Sequence, residues 1–272
     1  MQTWKIASSY IVRNITAEQY KVYVPDDEAE LFKEISAAPF QVIGESIYTK
    51  QFAAEIKTRL SGILAGQFGW YLQQFIKIAS VKDCKPDETV LIWDADTIPL
   101  RLLEFVSEQG RLIYYKGSEY HHPYFETIVR LLQLSKKVRF SFIAQCFVMK
   151  ALWVQEFCEE IELRHHKDWI SALLDAINFH EGNSFSEYET LGTYISHRHG
   201  EEVQYIDRRW LRLGNSMIGH PAFLSPKLIS AELSDYDYAS FEKWDKAKPY
   251  FLRVSIPYFI KVYLPSLFRK SQ

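Results

Sequence analysis

Short segments of alternating or continuous apolar residues predict a series of strands along the chain. Residues 20–25, YKVYVP, alternate and end at a proline, and FQVIG at 40–44 has a similar composition. TVLIW at 89–93 is a continuous apolar run, which is typical of a strand buried on both faces of a parallel sheet. RLIYY at 111–115 predicts another strand, and residues 138–149 predict one or two more.

Apolar residues that recur every three or four positions predict helices between these strands. Residues 51–80 follow this period, with glycines that interrupt it, and three acids at 26–28 favour a helix over Ala29–Ile35. Further helices are predicted over 124–135, 151–163 and 167–179. Because strands and helices alternate, the pattern predicts an α/β fold with a mainly parallel central sheet flanked by helices.

Composition narrows the class of protein. The 272 residues are 47% hydrophobic and 24% charged, which is typical of a globular chain and excludes global disorder. A net charge of −2 argues against a basic nucleic-acid binder. Three cysteines without CxxC spacing predict neither a disulfide framework nor a zinc ribbon. With no signal peptide and no apolar run of about 18 residues, we expect a cytoplasmic location.

Charge is distributed unevenly between the two ends of the chain. Residues 243–272 hold seven basic residues and one acid, a charge of +6, which leaves −8 on residues 1–242. We therefore predict one domain over 1–242 and an appendage over 243–272. The aromatic, basic and proline-containing residues 248–270 suit an anionic membrane surface, and they equally suit packing on the domain or on a second subunit.

Two carboxylates directly follow the apolar run at 89–93. Asp94 and Asp96 stand one residue apart, and ligands of open α/β sheets bind at the carboxyl ends of strands. Carboxylate oxygens there suit Mg²⁺ or Mn²⁺, whose coordination shell phosphate oxygens would complete. The alternative is a solvated loop, since the D-x-D pattern is common by chance.

Two enzyme classes use a strand followed by this pattern. In GT-A glycosyltransferases the acidic pair holds a metal that binds the donor diphosphate, whereas in haloacid-dehalogenase phosphatases the first aspartate is a nucleophile. Asp94-Ala-Asp96-Thr97 fits both. The phosphatase motif usually lies on the first strand, but here about 90 residues precede it. In the phosphatases, acids at the end of a later strand complete the metal site. Here no later predicted strand ends in an acidic pair, and Asp235 and Asp237 lie in a segment that the pattern predicts as a loop. Position therefore favours the transferase.

Three motifs together resemble a known family. They are Gly69-Trp70-Tyr71 followed by Gln73-Gln74-x-x-Lys77, the run Leu91–Leu100 around the acidic pair, and Phe185-Ser186-Glu187-Tyr188-Glu189-x-x-Gly192. This combination, over residues 20–215, resembles bacterial glycosyltransferase-like proteins encoded in lipopolysaccharide and capsule gene clusters. The resemblance implies a GT-A fold, a nucleotide-sugar donor, a divalent metal and a glycan or lipid-linked acceptor. A lipid-linked acceptor would suit a peripheral position of the basic tail at the cytoplasmic face of the inner membrane.

One departure from the family pattern concerns the N-terminus. GT-A domains usually open with a strand that contacts the nucleoside. Only Trp4–Ala7 and Tyr10–Val12 precede the 20–25 segment as candidates for that strand. We expect this first strand to be short or degenerate.

Glu187 and Glu189 are the candidates for a catalytic base, with Glu187 preferred. An inverting glycosyltransferase needs a carboxylate that accepts the proton of the acceptor hydroxyl. The alternative is local, because Ser184 with Glu187 and Ser186 with Glu189 both match a helix capping box. Asp168 and Asp175 are lesser candidates for the base.

Donor-binding residues are predicted on one helix face. Trp70, Gln74 and Lys77 share that face, so they could line a donor pocket, with Lys77 facing phosphate. The alternative is an ordinary, partly solvated amphipathic helix. Arg59 is a second candidate for a phosphate contact.

Histidines and arginines near the C-terminus supply further candidates. A late histidine completes the metal shell in some GT-A enzymes, so His220, or else His199, could be a metal ligand; each also fits a structural role. Arg208, Arg209 and Arg212 could neutralise a diphosphate or an anionic acceptor, or form a solvated basic turn.

The sequence thus predicts a metal-dependent glycosyltransferase in which Asp94 and Asp96 bind Mn²⁺ or Mg²⁺ with the donor diphosphate. Two other functions stay open. One is a haloacid-dehalogenase-like phosphatase that uses Asp94, and the other is a non-catalytic module that binds a nucleotide sugar.

Overall fold

Eleven helices and nine short strands make up the part of the chain that the computed structural model describes, residues 2–60, 65–218 and 224–245. The helices are α1 (Gln2–Asn14), α2 (Ala29–Ile35), α3 (Ser46–Thr49), α4 (Ala53–Arg59), α5 (Phe68–Lys82), α6 (His122–Leu132), α7 (Ala151–His165), α8 (Trp169–Ala176), α9 (Glu187–Arg198), α10 (Gly214–Ile218) and α11 (Pro226–Glu232). The strands are β1 (Lys21–Val24), β2 (Gln41–Gly44), β3 (Thr89–Trp93), β4 (Thr97–Pro99), β5 (Leu112–Tyr115), β6 (Cys146–Lys150), β7 (Val203–Ile206), β8 (Trp210–Leu211) and β9 (Tyr238–Ser240).

The strands pair in small sheets of mixed direction. β1 pairs with β2 in parallel, and so does β5 with β7. β3 and β6 are antiparallel, and β9 lies between β4 and β8. The α/β class is therefore confirmed, but the described strands do not form one mainly parallel central sheet. An apolar run indicates a strand without indicating the direction of its neighbour, and the sequence alone did not show that β6 would run against β3.

The N-terminal segment is a helix and not a strand. Trp4, Ala7 and Ile11 are buried and stand three or four residues apart, so they form one apolar face of α1. The expectation of a first strand within Trp4–Ala7 or Tyr10–Val12 was wrong, because the spacing of these residues fits the helical period better than the period of a strand.

Three other segments differ from their predicted structure. Strand β3 is only partly buried, whereas the apolar run predicted burial on both faces. Within 138–149 the strand begins only at Cys146. The segment that contains Asp235 and Asp237 is not entirely a loop, because β9 begins at Tyr238 and pairs with two strands.

The predicted appendage lies almost wholly outside the described residues. Within 243–245, the buried carboxylate of Asp245 accepts hydrogen bonds from the amide and the hydroxyl of Ser216. Residues 248–270, for which a membrane contact is predicted, are outside the described ranges. None of the helices in those ranges combines the length and the apolar character that crossing a membrane requires.

Helix α9 passes through the core, and all residues from Glu187 to Ser196 are buried. Its Gly192 packs against Phe142 so closely that a Cβ atom would lie 2.2 Å from Cγ of that ring.

Because of this close packing, we expect Gly192→Ala to lower the free energy of unfolding by about 1–3 kcal/mol, measured by urea denaturation. Gly200→Ala is the matched control, because a Cβ atom added there would meet no heavy atom within 4 Å. Equal stability of the two variants would contradict the close packing of α9 on Phe142.

Candidate functional site

Lys77 joins two carboxylates that are distant in sequence. Its side chain projects from the middle of α5, and its Nζ donates to Oδ1 of Asp94 at 2.6 Å and to Oε1 of Glu187 at 2.7 Å. Asp94 directly follows β3, and Glu187 is the first residue of α9. Only 17% of the Lys77 side chain is exposed, so both ion pairs are largely shielded from water. The three elements thus meet at one charged centre.

Burial and the neighbouring charges have opposite effects on the pKa values of Lys77 and Glu187. Burial alone would lower the pKa of Lys77, but the carboxylates of Asp94 and Glu187 outweigh it and raise that pKa above its ordinary value. Burial raises the pKa of Glu187, Lys77 opposes that rise, and the charge of Asp94 adds to it. The lysine therefore stays protonated, while the buried glutamate is a stronger base than a glutamate in water.

Tyr188 is a third neighbour of this centre that the sequence did not single out. Its hydroxyl donates to Oδ1 of Asp94 at 2.8 Å, and Nζ of Lys77 lies 4.3 Å from the centroid of its ring. Burial first, and then the charge of Asp94, raise the pKa of Tyr188 well above its ordinary value. The tyrosine is thus a permanent donor, and Oδ1 of Asp94 is held by two groups at once.

Asp96 lies beside two other carboxylates without a cationic ion-pair partner. Loss of solvation raises the pKa of Asp96 to about 7, and the charges of Asp94 and Glu242 add to this effect, while Lys77 partly opposes it. None of the described lysines, arginines and histidines forms an ion pair with Asp96. The backbone carbonyl of Asp96 accepts from the amide of Phe241, which brings the segment after β9 to the acidic pair.

Glu242 extends the site beyond the acidic pair. Its Oε1 accepts from Nε of Arg212 at 2.9 Å and from Nε2 of Gln145 at 3.2 Å. Arg212 also donates to Glu119, so one guanidinium links two carboxylates. The site therefore runs from Lys77 to Arg212. Of the three arginines near Trp210, Arg212 is the one that reaches Glu242.

Glu189, the second candidate base, belongs to a different cluster. Its carboxylate is 1% exposed and accepts from Lys136 Nζ at 2.6 Å and from the hydroxyl of Ser141 and the amide of Phe142. Its own backbone amide donates to the hydroxyl of Ser186, so the predicted cap at Ser186 is confirmed. These contacts favour a structural role for Glu189.

The predicted donor-binding residues on α5 take different positions. Gln74 is buried, and its side-chain oxygen accepts from the backbone amide of Glu187 at 3.0 Å, so it orients the start of α9. Trp70 is partly buried and packs against Tyr71 and Tyr124. Among the described residues, no hydrogen bond joins either side chain to the acidic pair. Whether they line a donor pocket stays a prediction.

Other predicted residues have ordinary structural partners or fall outside the described part. Arg59 forms ion pairs with Glu55 and Asp175 rather than with any residue of the Lys77 centre. Asp168 caps α8 by accepting from the amide of Ser171. His199 stacks on Trp153 and contacts Glu156 and Glu202. His220 lies outside the described residues.

The residues near the acidic pair fit a divalent cation that a ligand also coordinates. The donor set consists of carboxylate oxygens, as Mg²⁺ and Mn²⁺ require. Burial first, and then the negative charges of Asp94 and Glu242, raise the pKa of Asp96, and a cation would offset that negative charge. Among the described residues, no group of three or more His, Cys, Asp or Glu side chains is arranged to hold a metal by itself. Mg²⁺ is commonly held by one or two carboxylates plus substrate phosphates, so Asp94 and Asp96 meet that need.

The fold and the site define an α/β protein with a charged centre at the carboxyl end of β3. The chain belongs to the family described as "Family of unknown function (DUF6492)", whose model matches residues 9–262. No curated protein matches the chain, and no solved structure matches it.

Proposed function

We propose that this protein is a metal-dependent glycosyltransferase that moves a sugar from a nucleotide-sugar donor to a glycan acceptor. The observation that carries the proposal is the acidic pair after β3. Asp96 lies there beside Asp94 and Glu242 without an ion-pair partner among the described residues, while Asp94 is fixed by Lys77 and Tyr188. A carboxylate without an ion-pair partner, next to an oriented one, is a favourable place for a cation and a diphosphate.

Asp94 and Asp96 would hold Mn²⁺ or Mg²⁺, which when bound supplies Lewis-acid stabilisation of the leaving diphosphate. Lys77 and Tyr188 orient Asp94 through its Oδ1. Among the described residues, no hydrogen bond engages Oδ2 of Asp94, which leaves that atom as the available ligand. The Lys77 ammonium also contributes a positive charge within reach of the donor phosphates.

Glu187 is the proposed base for an inverting reaction. It shares Lys77 with Asp94, and burial raises its pKa, which makes it a stronger proton acceptor. The Glu189 carboxylate is instead hydrogen-bonded by Lys136, Ser141 and Phe142. In a retaining reaction, no base is needed at the position of Glu187, and its role would then be to hold Lys77.

The location and the acceptor are also proposals. The +6 charge of residues 243–272 supports attraction to an anionic membrane surface, where several basic residues contribute about 1 kcal/mol each. We propose that the acceptor is a surface glycan on a lipid carrier or lipid core, and that the protein binds peripherally at the cytoplasmic face of the inner membrane.

One assay distinguishes the proposed transferase from the two alternative functions. Purified protein is incubated with Mn²⁺ and either nucleotide sugars or sugar phosphates, and nucleoside diphosphate and inorganic phosphate are both quantified. We expect nucleoside diphosphate release from one donor class, faster with a suitable acceptor, and its loss in Asp96→Ala. Phosphate release from sugar phosphates would instead indicate a phosphatase that uses Asp94. Donor binding without either product would indicate a non-catalytic module.

A further inference from the structure

Gln145 has a backbone conformation that its place in the fold does not ordinarily require. Its φ angle is +63°, in the left-handed region that residues other than glycine rarely adopt. Gln133 and His166 also have positive φ angles, but they cap the C-terminal ends of α6 and α7, where this conformation is common. Gln145 instead directly precedes strand β6, and it is 4% exposed. Strain of this kind is concentrated at functional sites.

Two hydrogen bonds connect Gln145 to both sides of the acidic pair. Its backbone carbonyl accepts from the amide of Asp94 at 3.0 Å, directly beyond the last pair of the ladder between β3 and β6. Its side-chain Nε2 donates to Oε1 of Glu242 at 3.2 Å. One buried residue therefore joins the end of β3 to the segment that follows β9.

Both carboxylate oxygens of Glu242 are engaged by hydrogen bonds. Oε1 accepts from Arg212 as well as from Gln145, and Oε2 accepts from the indole N–H of Trp244. Burial first, and the charge of Glu242 among other causes, raise the pKa of Asp96. Glu242 is thus placed to act on the acidic pair through its charge, because a carboxylate held there adds to the negative potential that attracts a cation.

We propose that Gln145 is a positioning residue that holds the Glu242 carboxylate beside Asp94 and Asp96 and thereby strengthens the binding of Mn²⁺ or Mg²⁺ to the acidic pair. This inference rests on the proposed transferase function, because the cation is part of it. Like charges repel, so without the amide of Gln145 we expect Glu242 to move away from the two aspartates. The cation would then lose part of the negative charge that surrounds it.

The first test measures how much Mn²⁺ the full chain needs. Thermal shifts are recorded at increasing Mn²⁺ with UDP, GDP or dTDP held constant, and the half-saturating Mn²⁺ concentration is determined. Gln145→Met keeps the length of the side chain and removes its amide, while Gln145→Gly adopts the left-handed conformation without steric cost. We expect both variants to raise the half-saturating concentration about tenfold, at the lower end of the effect that groups around metal ligands have.

Gln133→Met is the matched control for Gln145→Met. Gln133 is the same residue type with nearly the same φ angle, +56°, but it is exposed at the end of α6. We expect its half-saturating Mn²⁺ concentration to equal that of the wild type. If Gln145→Met does not fold, Gln145→Gly carries the comparison, because glycine relieves the backbone strain at this position.

A double-mutant cycle with Glu242→Gln separates positioning from a general structural effect. Glu242→Gln alone should also raise the half-saturating Mn²⁺ concentration. Because Gln145 is proposed to act through Glu242, Gln145→Met should add less than about twofold in the Glu242→Gln background. The same increase in both backgrounds would overturn the proposal.

A ¹⁹F measurement without metal or nucleotide makes the failure of this proposal distinguishable from the failure of the proposed function. The chain is labelled with 5-fluorotryptophan, and Trp244→Phe identifies the resonance of Trp244, whose indole N–H donates to Glu242. We expect Gln145→Met to move that resonance and Gln133→Met to leave it in place.

The two readouts together decide between the outcomes. The proposal is overturned if the Gln145 variants leave either the Trp244 resonance or the half-saturating Mn²⁺ concentration as in a wild type that binds Mn²⁺. A wild type without any Mn²⁺-dependent shift would refute the metal-dependent function. In that case a moved Trp244 resonance would still support Gln145 as the residue that positions Glu242, and an unmoved one would refute both.

Discussion

Replacing Lys77 with methionine is expected to lower the free energy of unfolding by about 3–5 kcal/mol. Methionine keeps most of the length and apolar contact of the lysine stem but removes its charge. Asp94 and Glu187 would then lose the cation that lies 2.6 and 2.7 Å from them, in a place where little water can replace it. Removing one partner from a buried ion pair is costly because the remaining charge stays poorly solvated.

The effect of Lys77→Met should depend on pH in a definite direction. Lys77 lowers the pKa of Glu187, so its removal raises that pKa further above the unfolded value of about 4.3. A carboxyl whose pKa is higher in the folded state stabilises the fold when it is protonated, and this stability is lost as pH rises through the folded pKa. The deficit of the variant is therefore expected to be smallest near pH 5 and largest near pH 8.

Urea denaturation of wild type and variant at several pH values measures both effects. Lys33→Met is the matched control, because it removes the cation of the exposed pair with Glu30 and should cost no more than about 1 kcal/mol. A Lys77→Met protein as stable as the Lys33→Met control at pH 8 would contradict the central role of Lys77 in the folded state.

Replacing Glu189 with alanine is the second change with a large expected effect on stability, again about 3–5 kcal/mol. Lys136, the hydroxyl of Ser141 and the amide of Phe142 all donate to its carboxylate, which is 1% exposed. The variant would leave three donors without this acceptor in the protein interior. Thermal and urea unfolding measure the loss.

The control for Glu189→Ala is Glu201→Ala, at an exposed position, where we expect a change within about 0.5 kcal/mol. Folded Glu189→Ala protein, assayed at low temperature, should still bind a nucleotide-sugar donor with Mn²⁺. A variant that is as stable as the wild type but inactive would restore Glu189 as a candidate base.

The existence of most elements could be predicted from the sequence, because burial of one face imposes a period on the residues. The segments at 20–25, 40–44, 89–93 and 111–115 contain the observed strands. Pairing direction could not be predicted, because it depends on contacts between residues far apart, as in the antiparallel pair of β3 and β6. Strand β9 could not be predicted either, because its three residues are too few to show a strand pattern within a segment of loop-like composition.

The candidate site was predictable where its residues lie next to a strong local pattern. Asp94 and Asp96 follow an apolar run, and the family resemblance marked Lys77 and Glu187, which are 110 positions apart and form an ion pair. Tyr188 was not singled out, because its own sequence position says nothing about Asp94, 94 residues away. Glu242 was missed because it follows β9, which the pattern did not predict. The sequence did offer one indication of Glu242, because this acidic residue stands just after an aromatic segment and beside the basic appendage.

The central claim is that the acidic pair binds a divalent cation together with a nucleotide-sugar diphosphate. The most direct measurement is a thermal-shift panel of UDP-, GDP-, CMP- and dTDP-linked sugars with and without Mn²⁺, on wild type, Asp96→Ala and the exposed-site control Asp207→Ala. A ligand at about 100 times its Kd should stabilise by about 2.7 kcal/mol and raise Tm by about 5 °C. We predict such a Mn²⁺-dependent shift for one of the diphosphate-linked classes (UDP, GDP or dTDP) in wild type and Asp207→Ala, and its loss in Asp96→Ala. No shift with any donor, or an equal shift in Asp96→Ala, would contradict the claim.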